Sequence, residues 1–331
     1  MDVVSDAVSA IRVGRPSSNR VRVSGSWCAR LAPYDGAGFH VVLEGSCWLL
    51  PDDGPPVSLG TGDVVLLPHG TGHVIADSPA DAATVERAVS FERWLAGNGP
   101  RRPPATSGAV EMLCGKYRLD RSRMHPLMAE LPKVVHLPNR VGAHAELRAA
   151  VDLLGHELGT KGPGACIAVP SLLDLLLVYM IRSWTVGGSG GWPAVLGDPV
   201  TAAALRALHS DLAAPWTNDR LAVEAGVSRA TLARRFTALV GRPPMAYLTW
   251  WRLTFAATLL RDTPDPLAAI ARRVGYSTPY ALSHAFSREF GTTPGQYRAS
   301  AAGQSASAQE QAAFSRVGAP RSREWGRRGG P

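Results

Sequence analysis

Short apolar runs broken by glycine, proline and aspartate fill the chain from Val21 to Ile75. They read VRVSGSW, FHVVLEGSCWLL, VSLGTGDVVLLP and HVIAD, and PDDGPP marks a turn between the second and third. Runs of this length between turn-forming residues are typical of β-strands. The pattern predicts a small β-barrel or sandwich. An irregular arm over residues 1–20 is expected before it, and a closing strand in AVEMLCGKYRL after the loop NGPRRPPATSG.

After these strand-like runs, the spacing of apolar residues becomes that of helices. HAELRAAVDLLGHELG and SLLDLLLVYMIRSW predict two helices, separated by KGPGACIAVP. The second carries an apolar stripe of Leu172, Leu173, Leu176, Leu177 and Met180. The prediction is that this helix is too short, and too interrupted by Asp174, to span a bilayer. Packing against the barrel as ordinary core fits the stripe.

The last part of the chain contains one pattern twice, about 50 residues apart. LAVEAGVSRATLARRFTALVGRPPMAYL is followed by IARRVGYSTPYALSHAFSREFGTTPGQYR. Five residues of the first copy recur in the second. Gly226, Phe236, Gly241, Pro244 and Tyr247 correspond to Gly275, Phe286, Gly291, Pro294 and Tyr297. The repetition predicts a pair of helix-turn-helix units.

Each copy is predicted to place a glycine at the sharp turn and a serine at the start of the second helix. Gly226 and Gly275 supply the turn, and Ser228 and Ser277 are the expected helix caps. The buried stripes are predicted as Leu232, Phe236 and Val240 in the first copy and Leu282, Phe286 and Phe290 in the second. The exposed faces are then Ala230, Ala233, Arg234 and Thr237, matched by Tyr280, Ser283, His284 and Ser287.

Short side chains around one or two long donors suit a helix that enters the major groove of DNA. A single pair of this kind is equally compatible with an αα-hairpin of an ordinary helical domain. Its repetition, with matching faces, favours DNA binding. Five further arginines are predicted to contact phosphates, and they are Arg229, Arg235, Arg242, Arg288 and Arg298.

Residues from about Asp198 to Arg298 resemble the DNA-binding domain of the AraC/XylS family of bacterial transcription regulators. The resemblance is carried by AGVSRATLARRF, GRPP, WRLTFAATLLRD, VGYSTPYALSHAF and GTTPGQYR. It implies double-stranded DNA as partner, with two recognition helices in successive major grooves. By position, Arg234 matches an arginine that reads bases. His284 stands where the second helix usually carries another arginine, which weakens the expectation that this helix reads guanine.

Length and charge predict two domains. A chain of 331 residues exceeds what one compact core usually holds. Residues 1–100 contain 7 basic and 11 acidic residues, whereas residues 201–300 contain 12 arginines against 6 acidic residues. The DNA-binding surface is therefore expected in the C-terminal part. With no secretory leader recognised and no membrane span predicted, a cytoplasmic, nucleoid-associated protein is expected.

GDVVLLPHGTGH, from Gly62 to His73, resembles the second cupin motif. His40 and Glu44 have the spacing of part of the first motif, although Gly38 replaces its first histidine. A divalent metal held by His40 and His73, with Glu44, His69 or a cysteine as third ligand, is one interpretation. The other is that the two histidines line a pocket for a small-molecule effector or are satisfied by hydrogen bonds. Trp27, FHVVLEGSCWL and LCGKY also resemble the cupin-type sensors of the same regulator family, in which this module often carries the dimer contact.

Four cysteines, Cys28, Cys47, Cys114 and Cys166, fit neither a disulfide framework nor a zinc motif. Free thiols are the default in a reducing compartment. If a thiol sensor exists, Cys28 and Cys114 are the predicted pair.

The predicted fold class is a two-domain α+β protein. A cupin-like β-barrel with a helical dimerisation segment spans residues 1–184, and a glycine-rich linker spans 185–197. An all-α domain with two helix-turn-helix motifs spans 198–298, and a disordered basic tail spans 299–331. The predicted function is a homodimeric, one-component transcription regulator responding to a small molecule or redox signal. A metal-dependent cupin enzyme fused to a DNA-binding domain is the alternative.

Overall fold

The computed structural model describes residues 2–97, 109–119, 125–140, 142–160, 162–188 and 191–301. The chain divides into two compact units. The first comprises the described residues up to Asp211 together with Trp216–Leu248, and the second comprises Leu212–Pro215 and the described residues from Thr249 onward. The first helix-turn-helix therefore belongs to the same unit as the strand-rich region. The predicted loop at residues 98–108 and the tail beyond residue 301 lie outside the described residues.

The N-terminal region contains two five-stranded sheets, which confirms the strand-rich, cupin-like prediction. One sheet has the order β1 (Ser17–Val23), β9 (Val110–Arg118), β3 (Gly36–Glu44), β6 (Val64–Leu67) and β10 (Val135–Leu137). The other has the order β5 (Val57–Leu59), β4 (Cys47–Pro51), β7 (His73–Ala76), β2 (Cys28–Leu31) and β8 (Val89–Ser90). All pairings are antiparallel except that of β2 with β8.

Alternating side chains from both sheets form one apolar cluster. Val42, Leu49, Val65, Ile75 and Met112 are each at most 1% exposed within it. Burying whole side chains of this size contributes about 1.5–3 kcal/mol each before conformational entropy is subtracted. The cluster therefore fixes the strand register, and with it the direction in which the polar side chains of β3, β7 and β9 point.

The irregular arm predicted for residues 1–20 is wrong over most of its length. Residues Val3–Ile11 form helix α1, and β1 begins at Ser17. The side chain of Asp2 caps the helix by accepting hydrogen bonds from Val4 N and Ser5 N, both at 3.0 Å. Apolar residues at helical spacing face inward, with Ala7 and Ile11 fully buried. A cap followed by this spacing is a helix signal, so the local pattern contained the information.

Helices connect and cover the sheets. They are α2 (Ala82–Glu86), α3 (Phe91–Gly97), α4 (Pro126–Ala129), α5 (Ala145–Thr160) and α6 (Ala165–Gly187). Pro170 lies inside α6, so the predicted break between the last two helices ends earlier than expected. The resulting 23-residue helix is not too short for a bilayer. By length and a mean hydropathy of 1.8, α6 is the described helix that could cross a membrane.

Contacts nevertheless tie α6 to the sheets. Asp174 forms an ion pair with Arg12, and Leu173 O accepts a hydrogen bond of 2.7 Å from Tyr117 Oη. Leu173, Leu176, Leu177 and Met180 of the stripe are fully buried, whereas Leu172 is half-buried. Helix α5 packs against α6.

The predicted linker is helical in most of its described residues. Residues 185–187 continue α6, and Gly191–Gly197 form α7, in which Trp192 and Val195 are 1% exposed. Glycine-rich composition suggested flexibility, but the two buried apolar side chains anchor this segment.

The C-terminal helices follow the predicted repeat. They are α8 (Pro199–Ser210), α9 (Asn218–Glu224), α10 (Arg229–Val240), α11 (Pro244–Asp262), α12 (Leu267–Arg273) and α13 (Pro279–Phe290). Residues 294–301 are also helical, so the first three residues of the predicted disordered tail, 299–301, belong to a helix.

Candidate nucleic-acid interface and sensor interior

The first helix-turn-helix has the local geometry that its sequence predicts. Gly226 adopts φ +66° at the turn, and Gly241 adopts φ +76° after α10. Ser228 caps α10, its Oγ accepting from Thr231 N at 3.2 Å. Positive φ favours glycine at both positions, and a serine cap compensates an unpaired backbone N–H.

Burial divides α10 into two faces. Leu232 and Phe236 are fully buried, and Val240 is 8% exposed. The predicted DNA-facing residues are exposed or half-buried, and they are Arg229, Ala230, Ala233, Arg234, Arg235 and Thr237. Each residue of this predicted set is therefore accessible in the structure.

The second unit repeats the arrangement with one correction. Gly275 adopts φ +77° at the turn and Gly291 adopts φ +66° after α13. The helix cap is Thr278 rather than Ser277, because Thr278 Oγ1 accepts from Ala281 N at 3.1 Å. Pro279 occupies the first helical position, where its missing N–H costs nothing, so the cap must directly precede it.

The exposed face of α13 surrounds an open groove of about 470 Å³. The groove is lined by predicted DNA-facing residues, and they are Tyr280, Ser283, His284, Ser287 and Arg288. Tyr280 is 80% exposed, so this face presents an aromatic ring as well as small side chains. Leu282 and Phe286 are fully buried on the opposite side.

The arginines differ in what they contact. Arg229 and Arg235 form only loose surface ion pairs, at 3.7 Å to Asp219 and 3.5 Å to Asp198. Pairs of this kind stabilise little and leave a guanidinium available for a phosphate. Arg298 was predicted to contact a phosphate, but its guanidinium donates to the carbonyl oxygens of Leu260 and Asp265. Its described contacts are therefore structural.

Inside the strand-rich, cupin-like N-terminal region up to α6 (the sensor region), His40, His73 and Cys114 form one buried hydrogen-bonded chain. His40 Nδ1 lies 3.0 Å from Cys114 Sγ, and His40 Nε2 lies 2.8 Å from His73 Nε2. His73 Nδ1 lies 3.1 Å from Thr71 O, which can only accept. Burial lowers the pKa of both imidazoles, so both are neutral at pH 7.

These contacts assign the proton positions along the chain. Neutral His73 donates from Nδ1 to Thr71 O and must accept at Nε2. His40 therefore donates from Nε2 and accepts at Nδ1, so Cys114 donates its S–H. Burial also raises the pKa of the Cys114 thiol. The predicted convergence of the two histidines is correct, and the thiol is held protonated.

The predicted metal set does not fit this geometry. Two nitrogens on one tetrahedral zinc ion are about 3.3 Å apart, whereas these two share a hydrogen bond of 2.8 Å. Cys114 lies on the other nitrogen of His40. Glu44 is 56% exposed and pairs with Arg22 at 3.0 Å, and His69 donates to Leu131 O at 2.7 Å. Within the described ranges, no group of three such side chains is placed to hold a metal ion.

A β-bulge explains why Glu44 is absent from the interior. In a regular strand, residues 40, 42 and 44 share one face. The register of β3 against β9 shifts between Val42 and Glu44, which turns Glu44 to solvent. A bulge of this kind is not visible in the residue spacing.

The proposed thiol pair is divided between the two sheets. Cys28 lies in β2 and packs near Val74 and Ala76, whereas Cys114 lies in β9 within the main cluster. Burial and then Asp77 raise the pKa of the Cys28 thiol. Reactive cysteines need a lowered pKa, so neither thiol is activated in this state. Their pairing on oxidation stays a prediction.

Lowering the pH from about 7 to about 5 is expected to reduce the free energy of unfolding of the first unit. Burial lowers the pKa of His73 to about 4, and that of His40 well below its ordinary value. Unfolding returns each to about 6.5. The unfolded chain then binds more protons below that pH, so stability present above pH 6.5 is lost as the pH falls, by up to about 1.4 kcal/mol per unit for each histidine.

Urea unfolding at the two pH values measures this loss. His73→Asn should flatten the pH dependence, whereas His156→Gln, at an exposed position of α5, should leave it unchanged. Equal slopes for both variants would contradict the assignment of neutral, buried imidazoles.

Comparison with known proteins matches the N-terminal and C-terminal parts of the chain to two different family models. A cupin family model matches residues 2–186, and a helix-turn-helix domain model matches residues 221–300. Over 303 residues, the chain is 34% identical to an AraC-like transcription regulator of Streptomyces antibioticus, covering 90% of this chain and 98% of the relative. It is 26% identical to the HTH-type transcriptional regulator AlkR of Acinetobacter baylyi, covering 90% and 99%. The solved DNA-binding domain of AdpA, in complex with a target DNA, is 34% identical over 31% of this chain and 92% of that one, with a TM-score of 0.30.

Proposed function

The chain belongs to the family of AraC-like transcription regulators, and on that premise we propose that α10 and α13 are the two helices with which it reads its DNA site. The observation that supports this most directly is the repeated geometry. Both helices follow a glycine turn, carry a hydroxyl cap and bury an aromatic side chain at the same repeat position. Both leave the corresponding opposite face accessible.

The two faces are proposed to have different roles. Arg234 is the long donor beside the small residues of α10, and its guanidinium can donate to a guanine edge. On α13, His284 and Tyr280 replace a guanidinium, which suits contact with a base N7, a thymine methyl group or a phosphate. Sequence discrimination is therefore assigned mainly to α10, and affinity mainly to α13 and the surrounding arginines.

We further propose that the protein acts as a homodimer through α5 and α6. Leu153 on α5 is 55% exposed, and Ile167 and Leu175 on α6 are 76% and 40% exposed. The apolar composition of α6 thus exceeds what the core of one chain buries. Pairing of two copies would cover this surface and explains the hydropathy of α6 without a membrane. Two copies would also bring two pairs of reading helices to one site.

The cupin-like region is proposed to sense a signal rather than to catalyse a reaction. Its polar interior consists of a satisfied hydrogen-bonded chain without an open metal position in the described residues. A ligand or oxidant that changes this interior would alter DNA binding only if it favours one state of the protein over another.

Mapping of bound chromosomal DNA in the native host tests the function, followed by binding of the purified chain to a recovered site over a range of salt. We expect the logarithm of the binding constant to fall linearly with the logarithm of the salt concentration. We also expect the protein to bind the recovered site more tightly than scrambled DNA. Binding that ignores sequence would contradict the proposal. Metal analysis of the active protein addresses the enzyme alternative, which requires a bound metal ion.

A further inference from the structure

A buried polar chain joins the sensor region to the first helix-turn-helix. His125, at the start of α4, lies 2.9 Å through Nε2 from Tyr247 Oη in α11. The same hydroxyl lies 2.8 Å from His209 Nε2 in α8, and His209 Nδ1 lies 2.6 Å from Asp6 Oδ2 in α1. All four residues are at most 4% exposed and belong to one compact unit.

The direction of the chain follows from its first contact. Leu127 N donates to His125 Nδ1 at 3.1 Å, so neutral His125 carries its proton on Nε2 and donates to Tyr247. Tyr247 then donates to His209, and His209 donates to the Asp6 carboxylate. Each donor has an acceptor, and removing one member would leave a buried neighbour without its partner.

The internal repeat shares the ring packing of this tyrosine. Tyr247 packs on Phe236 with 5.7 Å between ring centroids, and the equivalent Tyr297 packs on Phe286 at the same 5.7 Å. Aromatic packing is therefore the shared structural role. The hydroxyl of Tyr247 also bonds to His125 and His209, and His125 belongs to the sensor region.

The sensor end of the chain is connected to the interior of the sheets. His69 donates to Leu131 O, two residues beyond α4, at 2.7 Å. Four residues further along the same loop, His73 begins β7 and joins the His40–Cys114 chain. Helix α4 is thus held at one end by the loop that carries His73 and at the other by Tyr247.

We propose that Asp6, His209, Tyr247 and His125 form a lock that fixes the first helix-turn-helix to the sensor region and transmits changes from the His40–His73 interior through α4. A role of this lock in regulating DNA binding rests on the proposed function. The face of α10 stays accessible in the locked state, so the lock sets the position of the reading helix rather than covering it.

Hydrogen exchange of the full chain tests the lock without DNA. Tyr247→Phe keeps the ring and removes the hydroxyl, and Tyr297→Phe is the matched control. Tyr247→Phe should accelerate exchange of α4 and α8 about tenfold or more, with circular dichroism unchanged. His125→Asn, which retains a helix cap but loses the imidazole Nε2, should do the same. Exchange equal to that of the unmodified chain in both variants would overturn the lock.

Cognate DNA tests the transmission, because coupling between two sites is reciprocal. Adding DNA should change the exchange of β7 and its preceding loop in the unmodified chain and in Tyr297→Phe, but not in Tyr247→Phe. A change that persists in Tyr247→Phe overturns the route. Failure to bind DNA at all would contradict the proposed function, while the exchange result without DNA still decides the lock.

Discussion

Replacing Arg234 with alanine is expected to weaken binding to the cognate DNA site by about 1–3 kcal/mol, a loss of roughly 5- to 150-fold in affinity. Arg234 is exposed on α10, one residue after Ala233 and one helical turn after Ala230. A guanidinium placed there can donate two hydrogen bonds to one guanine, and alanine can donate none. Binding to sites with every possible base at each position measures the effect. The loss should be concentrated at one base position, where the variant becomes tolerant.

Arg235→Ala is the matched control. Arg235 is the neighbouring residue on the same helix, and its loose ion pair with Asp198 places it toward the edge of the face. If Arg235 contacts a phosphate, its replacement should weaken binding to all sequences by a similar factor. The slope of the logarithm of the binding constant against the logarithm of the salt concentration should then become smaller by about 1. If Arg234→Ala gave this uniform loss instead, Arg234 would be a phosphate contact and base reading would have to come from elsewhere.

The helix-turn-helix repeat was predictable because its determinants are local. A turn glycine, a nearby hydroxyl cap and a four-residue apolar period act within about fifteen residues. Even the error at Ser277 was local, since Pro279 defines the first helical position and therefore the cap. The strand-rich fold was predictable for the same reason, through short apolar runs and turn residues.

The lock was not predictable, because its members are distant in sequence. Asp6 and His209 are separated by 203 positions, and His125 and Tyr247 by 122. No periodicity relates these four residues. The sequence around an isolated histidine does not indicate that it belongs to a buried hydrogen-bonded chain. The two interior histidines were identified only because a motif resemblance supplied their relation. Glu44 was misplaced because a bulge changes which side of a strand a residue faces.

Replacing Gly70 with alanine is expected to cost the sensor region about 2–5 kcal/mol of unfolding free energy, the sum of a left-handed backbone penalty and an overpacking penalty. Gly70 adopts φ +56° in the loop that connects β6 to β7. An added Cβ would lie 2.1 Å from Tyr34 O and 2.7 Å from Gly36 O, both backbone atoms. Since the two carbonyl groups belong to the backbone, they cannot move aside as a flexible side chain would.

Gly14→Ala is the control that separates the backbone penalty from the penalty of the steric clash. Gly14 has a similar φ of +68°, but no atom lies within 4 Å of its added Cβ. It should cost only the backbone penalty of about 1–2 kcal/mol, and the difference between the variants in urea unfolding measures the clash. Because Gly70 adjoins His69 and precedes His73, its replacement should also disturb the loop that connects the histidine interior to α4. Equal losses of unfolding free energy in the two variants would show that the loop at Gly70 rearranges without strain. A loop that rearranges so easily could not transmit a change from the sensor interior to the first helix-turn-helix.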